Sequence, residues 1–208
     1  MRDLFIVGAG GFGREVVWIV ERINAVSPQW HVVGFADDAP EKASGNFEGY
    51  PILGSCEKTS HDFPGASVCI AIGSGAVREK VASTLRGHDF PAIVDPSAQV
   101  FPTAELHRGV FVGPQAVVSA GAELSRFAVV NARAGVGHDC VVGAFADICP
   151  GVSLSGHTVV GERAMMGTNS CTAPGMKVGK DAVVACGTPV LRDVPDGATL
   201  SPFGMLKS

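Results

Sequence analysis

Charged residues, aromatic residues and paired cysteines are all scarce in this chain of 208 residues. Only 17% of the residues are charged and 46% are apolar, which excludes a disordered chain. The formal net charge of −4 argues against a nucleic-acid partner, because such partners usually require a basic surface. No apolar run is long enough for a membrane span, and the N-terminal stretch reaches glycine too early for a signal peptide. We therefore expect a cytoplasmic protein.

The six cysteines are scattered, and no two of them form a C-x-x-C pair. A structural zinc site would need closer pairing, and disulfides are rare in a reducing compartment. We therefore predict no metal site and no disulfide, and we interpret the cysteines as mostly small buried apolar residues.

The pattern of the sequence changes near Pro91. Before it, strand-like runs alternate with helix-like stretches, which predicts an α/β, Rossmann-like βαβ domain with a parallel sheet over residues 1–90. The predicted strands are Leu4 to Val7, His31 to Phe35 and Val68 to Ile72, and the predicted helices are Gly13 to Ile23 and Ala76 to Leu85.

Residues 91–208 carry an aliphatic side chain at every sixth position. From Val94 to Val190, sixteen of seventeen such positions are Val, Leu, Ile or Met, with Thr172 as the exception, and nine of the sixteen positions four residues later are alanine. This period predicts a parallel β-helix, in which three repeats of six residues make one triangular coil and the coils stack to bury their apolar faces. An ordinary β-sandwich is the alternative, but its irregular loops would break a fixed period.

The segment from Asn131 to Gly143 offers a base for acyl transfer. Small residues, Ala120 and Gly156, lie one coil away from His138 on either side, so its imidazole would stand in a hollow on an outward-facing wall. Asp139 lies one coil from His157, where a carboxylate could orient an imidazole. A lone histidine on such a wall is more often simply solvated, so the residues alone leave both interpretations open.

The segment Gly8-Ala9-Gly10-Gly11-Phe12-Gly13 fits G-x-G-x-x-G between a predicted strand and a predicted helix, as in loops that bind phosphates. Asp37 and Asp38 follow the second predicted strand, where an acid could bind a ribose or a base. The domain has no room for a second mononucleotide half, which disfavours a dinucleotide. The alternative is that these glycines only permit tight packing of strand against helix.

A Gly-rich N-terminal βαβ followed by hexapeptide repeats with N-x-x-x-x-x-x-H-[DE]-C resembles the sialic acid O-acetyltransferase and UDP-4-amino-sugar N-acetyltransferase family. The resemblance covers nearly the whole chain. It implies a left-handed β-helix, a homotrimer, and acetyl-CoA bound as co-substrate between neighbouring prisms. The chain departs from the family at its end, where Leu200 to Leu206 replace a G-x-P-A-[KR] segment found near the CoA adenine.

The resemblance also implies roles for individual residues. His138 would be the general base, with Asp139 as its orienting partner. In the mechanism that we expect from these roles, backbone N–H groups of the neighbouring prism stabilise the oxyanion. Contacts with the nucleotide-sugar are expected at Gly8, Gly10, Gly11, Gly13, Asp37, Asp38, Gly73, Ser74 and Asn131. Contacts with acetyl-CoA are expected at Gly156, Gly161, Gly167 and Gly175, and at Asp147, where many members have histidine.

The function we expect is N-acetylation of a nucleotide-linked 4-amino-dideoxy sugar for surface polysaccharide or glycan synthesis. O-acetylation of sialic acid or a related sugar hydroxyl is the alternative. A γ-class carbonic anhydrase would need two histidine ligands spaced by five residues, and His107, His138 and His157 include no such pair. An NAD-linked oxidoreductase and a non-enzymatic scaffold are two further candidate functions.

Overall fold

The computed structural model describes residues 1–39, 42 and 44–206. The chain divides into two compact units between Pro96 and Ser97. The change of sequence pattern, expected at residues 90 and 91, precedes this division by a few residues. None of the helices in the described part of the chain is both long enough and apolar enough to cross a membrane.

In the described residues, the first unit contains a five-stranded sheet and three helices. Its strands are β1 (Arg2–Val7), β2 (Trp30–Ala36), β3 (Asn46–Phe47), β4 (Tyr50–Gly54) and β5 (Ser67–Ile70), and its helices are α1 (Gly11–Val26), α2 (Cys56–Asp62) and α3 (Gly75–Thr84). The strand order is β3-β4-β2-β1-β5. All neighbours are parallel except the antiparallel pair of β3 and β4. The predicted βαβ arrangement is thus confirmed, while β3, β4 and α2 have no counterpart among the predicted elements.

The composition of β1 and α1 explains the core of this unit. Leu4 to Val7 are all buried, as expected for a central parallel strand covered on both faces. One side of α1 buries apolar residues at helical spacing, among them Val16, Ile19, Val20 and Ile23. The helix therefore packs against the sheet and leaves its N-terminus beside the end of β1.

The second unit is a parallel β-helix in which two-residue strands alternate with tight turns. Most strands pair in parallel with the strand 18 residues later, so that three faces form. Ile93–Val94 opens the six-residue spacing. Face 1 contains Gln99–Val100, Val117–Val118, Gly135–Val136, Ser153–Leu154, Cys171–Thr172 and Pro189–Val190. Face 2 contains Glu105–Leu106, Glu123–Leu124, Val141–Val142, Val159–Val160 and Lys177–Val178. Face 3 contains Phe111–Val112, Val129–Val130, Asp147–Ile148, Met165–Met166, Val183–Val184, Thr199–Ser201 and the antiparallel last strand Gly204–Leu206.

The repeat of six residues fills the interior of the prism, as predicted. From Val112 to Val190 every sixth residue is buried. The small position is buried as well, for example at Ala116 and Ala134. From Gly109 to Gly187, the residue three positions after each interior residue takes a positive φ, for example 56° at Asp139. This turn carries the chain from one face to the next, and in the turns between faces 1 and 2 it leaves its tip residues, such as Asp139 and His157, exposed.

Candidate functional site

A cleft of about 410 Å³ opens at the carboxyl ends of β1, β2 and β5. This is the edge at which open α/β sheets bind ligands. The structure brings most of the predicted nucleotide residues to this cleft, namely Gly8, Gly10, Gly11, Asp37, Asp38 and Gly73.

The glycines of the loop after β1 differ in what surrounds them. A Cβ at Gly8 would lie 2.7 Å from the carbonyl oxygen of Ala71, and a Cβ at Gly13 would overlap the carbonyl oxygen of Gly8. These two glycines therefore permit close packing. Gly10 and Gly11 have no atom within 4 Å of an added Cβ, and they begin α1, where free N–H groups favour a phosphate. A ligand contact is expected at these two.

Asp37 and Asp38 accept hydrogen bonds from the protein's own backbone. Asp37 accepts from the N–H of Ala9 at 2.8 Å, and Asp38 accepts from the N–H of Cys56, the first residue of α2, at 2.8 Å. Burial raises the pKa of Asp37, but two backbone hydrogen bonds and Lys42 outweigh it, so the pKa lies below its ordinary value. Lys42, whose ammonium lies 3.3 Å from Asp37, lines the cleft and was not among the predicted site residues.

The loop after β5 is fixed by its own side chains. Ser74 caps α3, since its Oγ accepts from the N–H of Val77, and it does not line the cleft as Gly73 does. The buried Arg78 donates to the carbonyl oxygens of Ile72 and Gly73 at 2.9 and 3.0 Å. Arg78 thus holds the backbone that forms one wall of the cleft. It was not among the predicted site residues, because one charged residue in a helical pattern does not indicate a function.

The second candidate site lies where the chain turns from face 1 to face 2. We call the stacked turns 137–140 and 155–158 the His138 corner. The side chains of His138, Asp139 and His157 are 61%, 54% and 65% exposed. The imidazole of His138 therefore points outward as predicted, although it stands at a corner between two faces instead of on a wall, because it belongs to the turn.

The carboxylate of Asp139 lies between two imidazoles. Its Oδ2 is 2.8 Å from Nδ1 of His138 and 3.9 Å from Nε2 of His157, and the two rings meet edge to face at 4.9 Å. The hydrogen bond from His138 is the largest influence and holds the pKa of Asp139 below its ordinary value; burial opposes it, and electrostatic interactions with the two imidazoles add to it. An ionised carboxylate can only accept, so Nδ1 of His138 is the donor in this contact, and a neutral imidazole in this orientation has its lone pair on Nε2.

Small residues on the neighbouring coils make room for this pair. A Cβ at Gly156 would overlap Nε2 of His138, and a Cβ at Gly121 would lie 2.5 Å from Oδ1 of Asp139. The predicted hollow around His138 is therefore present. Gly156 lies directly against the nitrogen that would act as base.

The other residues predicted to contact acetyl-CoA are spread over the prism. Gly175 lies on the same column of turns as the His138 corner, one coil beyond His157. Gly161 follows a strand of face 2, Gly167 follows a strand of face 3, and Asp147 lies within a strand of face 3. Asn131, predicted to contact the sugar, also follows face 3 and is thus on a different turn from His138.

Two of these glycines are explained by the stacking of coils. A Cβ at Gly161 would lie 2.5 Å from the nitrogen of Lys180, and one at Gly167 would lie 2.6 Å from the carbonyl oxygen of Val184. Gly175 has a φ of +74° and no atom near an added Cβ. The stacking of coils therefore explains why residues 161 and 167 are glycine, without a contact with acetyl-CoA. Gly175 has open space beside it, and its contact with acetyl-CoA stays a prediction.

A metal ion has one candidate site among the described residues. His138, Asp139 and His157 each offer one ligand atom, and these atoms lie within 4.8 Å of one another. Two imidazoles and a carboxylate form a donor set that zinc accepts. The sequence-based expectation of no metal stays a prediction, which a measurement of bound zinc checks.

Both units of the chain are similar to known proteins. Residues 3–85 match the PglD N-terminal domain family. The whole chain is similar to the acetyltransferase domain of PglB from Neisseria gonorrhoeae FA1090, with 30% identity, a TM-score of 0.88 and 100% of each chain covered. The chain belongs to the hexapeptide-repeat sugar acyltransferases. These matches confirm the predicted fold, a Rossmann-like domain followed by a left-handed parallel β-helix.

Two further relatives show how far the similarity of this acyltransferase extends. PerB from Caulobacter crescentus, solved with CoA and GDP-perosamine, is 27% identical, with a TM-score of 0.90 and with 100% of this chain and 98% of PerB covered. The bifunctional protein GlmU of Oleidesulfovibrio alaskensis is 28% identical over 176 residues, which are 77% of this chain and 38% of GlmU. The chain spans less than two fifths of the curated relatives that it matches here.

Proposed function

We propose that this acyltransferase moves the acetyl group of acetyl-CoA to the amino group of a nucleotide-linked 4-amino-dideoxy sugar, with His138 as general base. The observation that carries the proposal is the 2.8 Å contact between Nδ1 of His138 and Asp139, which leaves Nε2 free beside Gly156 at an exposed corner. Two relatives over the full length support the substrates: the PglB domain was solved with acetyl coenzyme A, and PerB with CoA and GDP-perosamine.

The chemistry follows from the free nitrogen. The amine of the sugar attacks the thioester carbonyl while Nε2 of His138 takes the proton that the amine loses. The carbonyl oxygen gains the negative charge. When the tetrahedral intermediate collapses, the carbon–sulfur bond breaks and the proton passes from His138 to the departing sulfur of CoA. Asp139 keeps the imidazole in the required tautomer throughout.

The donor for the oxyanion is, in this proposal, the N–H of Gly156. The carbonyl oxygen of Ser155 accepts hydrogen bonds from Cys140 and Thr158, both of which are buried, so it points into the prism. In a trans peptide the following N–H points the opposite way, here outward. It donates to no group in the described part of the chain. This donor belongs to the same prism as the base, whereas the sequence had led us to expect donors from the neighbouring prism.

We place acetyl-CoA along the His138 corner, past the open space at Gly175, and the nucleotide of the sugar in the cleft at Gly10 and Gly11. Asn131 and Asp147 lie away from this corner within one chain. A neighbouring prism in a homotrimer would present its own copies of them to the groove, which is how the homotrimer predicted from the resemblance would complete the site. The proposed location is cytoplasmic.

Release of free CoA thiol, measured with acetyl-CoA and a panel of UDP-, dTDP- and GDP-linked 4-amino sugars, tests this function. His138→Ala should lower kcat by about 10²–10⁴-fold, the range usual for loss of a general base. The matched control is His107→Ala. His107 is also an exposed histidine of the β-helix, but it lies away from the His138 corner and contacts Glu123. The His107→Ala variant should retain the activity of the wild type.

A folded His138→Ala variant with near wild-type activity would remove His138 as the base. Thiol release from acetyl-CoA with sialic acid, but with none of the 4-amino sugars, would favour O-acetylation. If none of the sugars accepts an acetyl group and the protein binds reduced NAD, an oxidoreductase is favoured. If there is neither acetyl transfer nor binding of a cofactor, a scaffold is favoured.

A further inference from the structure

Face 1 of the β-helix is irregular at one place. In the four other ladders of this face both residues of each strand are paired, but between Ser153–Leu154 and Cys171–Thr172 only Ser153 and Cys171 pair. At the regular turns the N–H after the strand donates to a backbone carbonyl, as Gly137 does to Leu154 at 2.9 Å. The irregular pair lies directly before Gly156, in the His138 corner.

Side chains replace the missing backbone contact. The N–H of Ser155 donates to Oγ1 of Thr172 at 3.0 Å, and Oγ of Ser155 donates to the carbonyl oxygen of Thr172 at 2.6 Å. Oγ1 of Thr158 lies 2.8 Å from Oγ1 of Thr172 and donates to the carbonyl oxygen of Ser155 at 2.7 Å. Since Thr158 has one hydroxyl proton, the proton between the two threonines comes from Thr172. The bonds therefore close a ring that runs from the N–H of Ser155 through both hydroxyls to its own carbonyl.

Cys140 adds a second donor to the same carbonyl. Its Sγ lies 3.1 Å from the carbonyl oxygen of Ser155, and its side chain is fully buried. A thiol is a weak hydrogen-bond donor and the carbonyl oxygen can only accept, so the S–H of Cys140 is the donor in this contact. Cys140 is the last residue of the motif that contains His138 and Asp139, and neither the base nor its partner requires it.

We propose that Cys140, Thr158 and Thr172 are positioning residues that fix and polarise the Ser155–Gly156 peptide, so that the N–H of Gly156 is aimed at the acetyl carbonyl oxygen. The inference rests on the proposed function, because it assigns the oxyanion donor of that reaction. Hydrogen bonds to a peptide carbonyl strengthen the N–H of the same peptide as a donor, and closed networks reinforce one another in a buried setting. The single threonine in a column of aliphatic residues thereby has a reason.

Thr172→Val is the decisive variant. Valine is the residue that most other coils carry at this position, so the fold should accept it, and the ladder should return to its regular form. We expect kcat to fall about tenfold, a fraction of the 10²–10³ that loss of a whole oxyanion donor costs, with both KM values within about twofold of the wild type. Thr172→Ser keeps the hydroxyl and should restore most of kcat.

Ser170→Ala is the matched control. Ser170 is buried in the same coil, and its Oγ has no hydrogen-bond partner among the described residues. Its loss should leave kcat unchanged. A Thr172→Val enzyme with wild-type kcat overturns the inference, as does a Thr172→Ser enzyme that loses as much as Thr172→Val. Because the wild type and the Ser170→Ala enzyme transfer acetyl groups in both of these outcomes, the proposed function would survive them.

Cys140→Ala provides a second variant if Thr172→Val does not fold. Alanine is the commonest residue at that repeat position, and the change removes one of two donors to the Ser155 carbonyl. We expect kcat to fall about threefold at unchanged KM. An unchanged kcat in a folded Cys140→Ala enzyme contradicts the inference.

The amide of Gly156 supplies a readout that does not depend on activity. Labelling serine carbonyl carbon with ¹³C and glycine nitrogen with ¹⁵N selects only the Ser-Gly pairs, which are Ser44-Gly45, Ser74-Gly75 and Ser155-Gly156. We expect the ¹⁵N signal of Gly156 to move upfield in Thr172→Val, because its carbonyl partner is less polarised, and to stay in place in Ser170→Ala. An unmoved signal in Thr172→Val would count against the ring.

Discussion

Glycine serves two opposite purposes in this protein, and a pair of glycines in each unit illustrates them. At the cleft of the first unit, Gly10 and Gly11 leave empty space where a side chain would be. In the β-helix, Gly161 and Gly167 leave space that the backbone of the next coil already occupies. Gly156 is a third case, because the space is filled by the imidazole of His138. A glycine therefore indicates a ligand contact only when the volume of its missing Cβ is unoccupied.

The largest effect should follow from filling a space that backbone already occupies. Gly161→Ala places a Cβ 2.5 Å from the nitrogen of Lys180 and 2.7 Å from the carbonyl carbon of Gly179, and neither can move without shifting a coil. We expect a loss of about 3 kcal/mol in the free energy of unfolding, as for overpacking in a close-packed interior. Thermal unfolding followed by circular dichroism measures it.

Gly135→Ala is the control for that variant, since Gly135 is also in the β-helix but has no atom within 4 Å of an added Cβ. Its melting temperature should stay near that of the wild type. If the Gly161→Ala variant melts at the wild-type temperature and instead has a raised KM for acetyl-CoA, a ligand explains why residue 161 is glycine. The distinction between glycines in occupied space and glycines in open space would then fail.

The second effect concerns Asp37, whose carboxylate fixes the glycine loop of the first unit. Asp37→Asn should cost about 2 kcal/mol at neutral pH, because the side chain is largely buried and its hydrogen bonds are charge-assisted. The pKa of Asp37 is lowered by folding, so its contribution is present above the ordinary pKa of about 3.9 and is lost as the pH falls through the folded value. The difference between variant and wild type should therefore shrink below about pH 4.

Urea unfolding of both proteins at several pH values measures this difference. Asp3→Asn is the control, since Asp3 is a half-exposed acid of the same unit whose side chain has an exposed histidine as its one polar partner among the described residues. A difference that stays constant from pH 7 to pH 3 would mean that the charge of Asp37 does not hold the loop.

The smallest effect should come from filling an empty space. Gly10→Ala adds a Cβ that meets nothing, and the φ of −124° at this residue is one that alanine adopts readily. We expect almost no change in melting temperature, but about a tenfold rise in the KM for the nucleotide-sugar, because the phosphates can no longer approach the backbone. Gly87→Ala, in equally open space away from the cleft, should leave this KM unchanged.

The fold could be predicted because its physical cause is written into the sequence as a period. A residue every six that must be buried fixes the interior of the β-helix, and the run from Leu4 to Val7 fixes the central strand of the sheet. The hairpin of β3 and β4 escaped prediction because its turn is Glu48-Gly49. Both residues take positive φ, yet glutamate is not among the residues that signal such turns.

The candidate site could be predicted in part. The contact of His138 with Asp139 follows from their adjacency in a turn, and the position of His157 follows from the eighteen-residue coil. The engagement of Asp37 and Asp38 with backbone N–H groups could not be foreseen, because their donors, Ala9 and Cys56, are brought near only by the fold. The ring around Ser155 was equally hidden, because Thr172 looked like a simple exception to the repeat.

The turns of the His138 corner stack because eighteen residues separate equivalent positions. Duplicating eighteen residues would lengthen the prism by one coil and return every later side chain to its former face. Duplicating six residues between Cys140 and Ser155 would instead rotate all later side chains by one face and separate His157 from Asp139. Such a chain can therefore gain or lose length next to the His138 corner only in whole coils of eighteen residues.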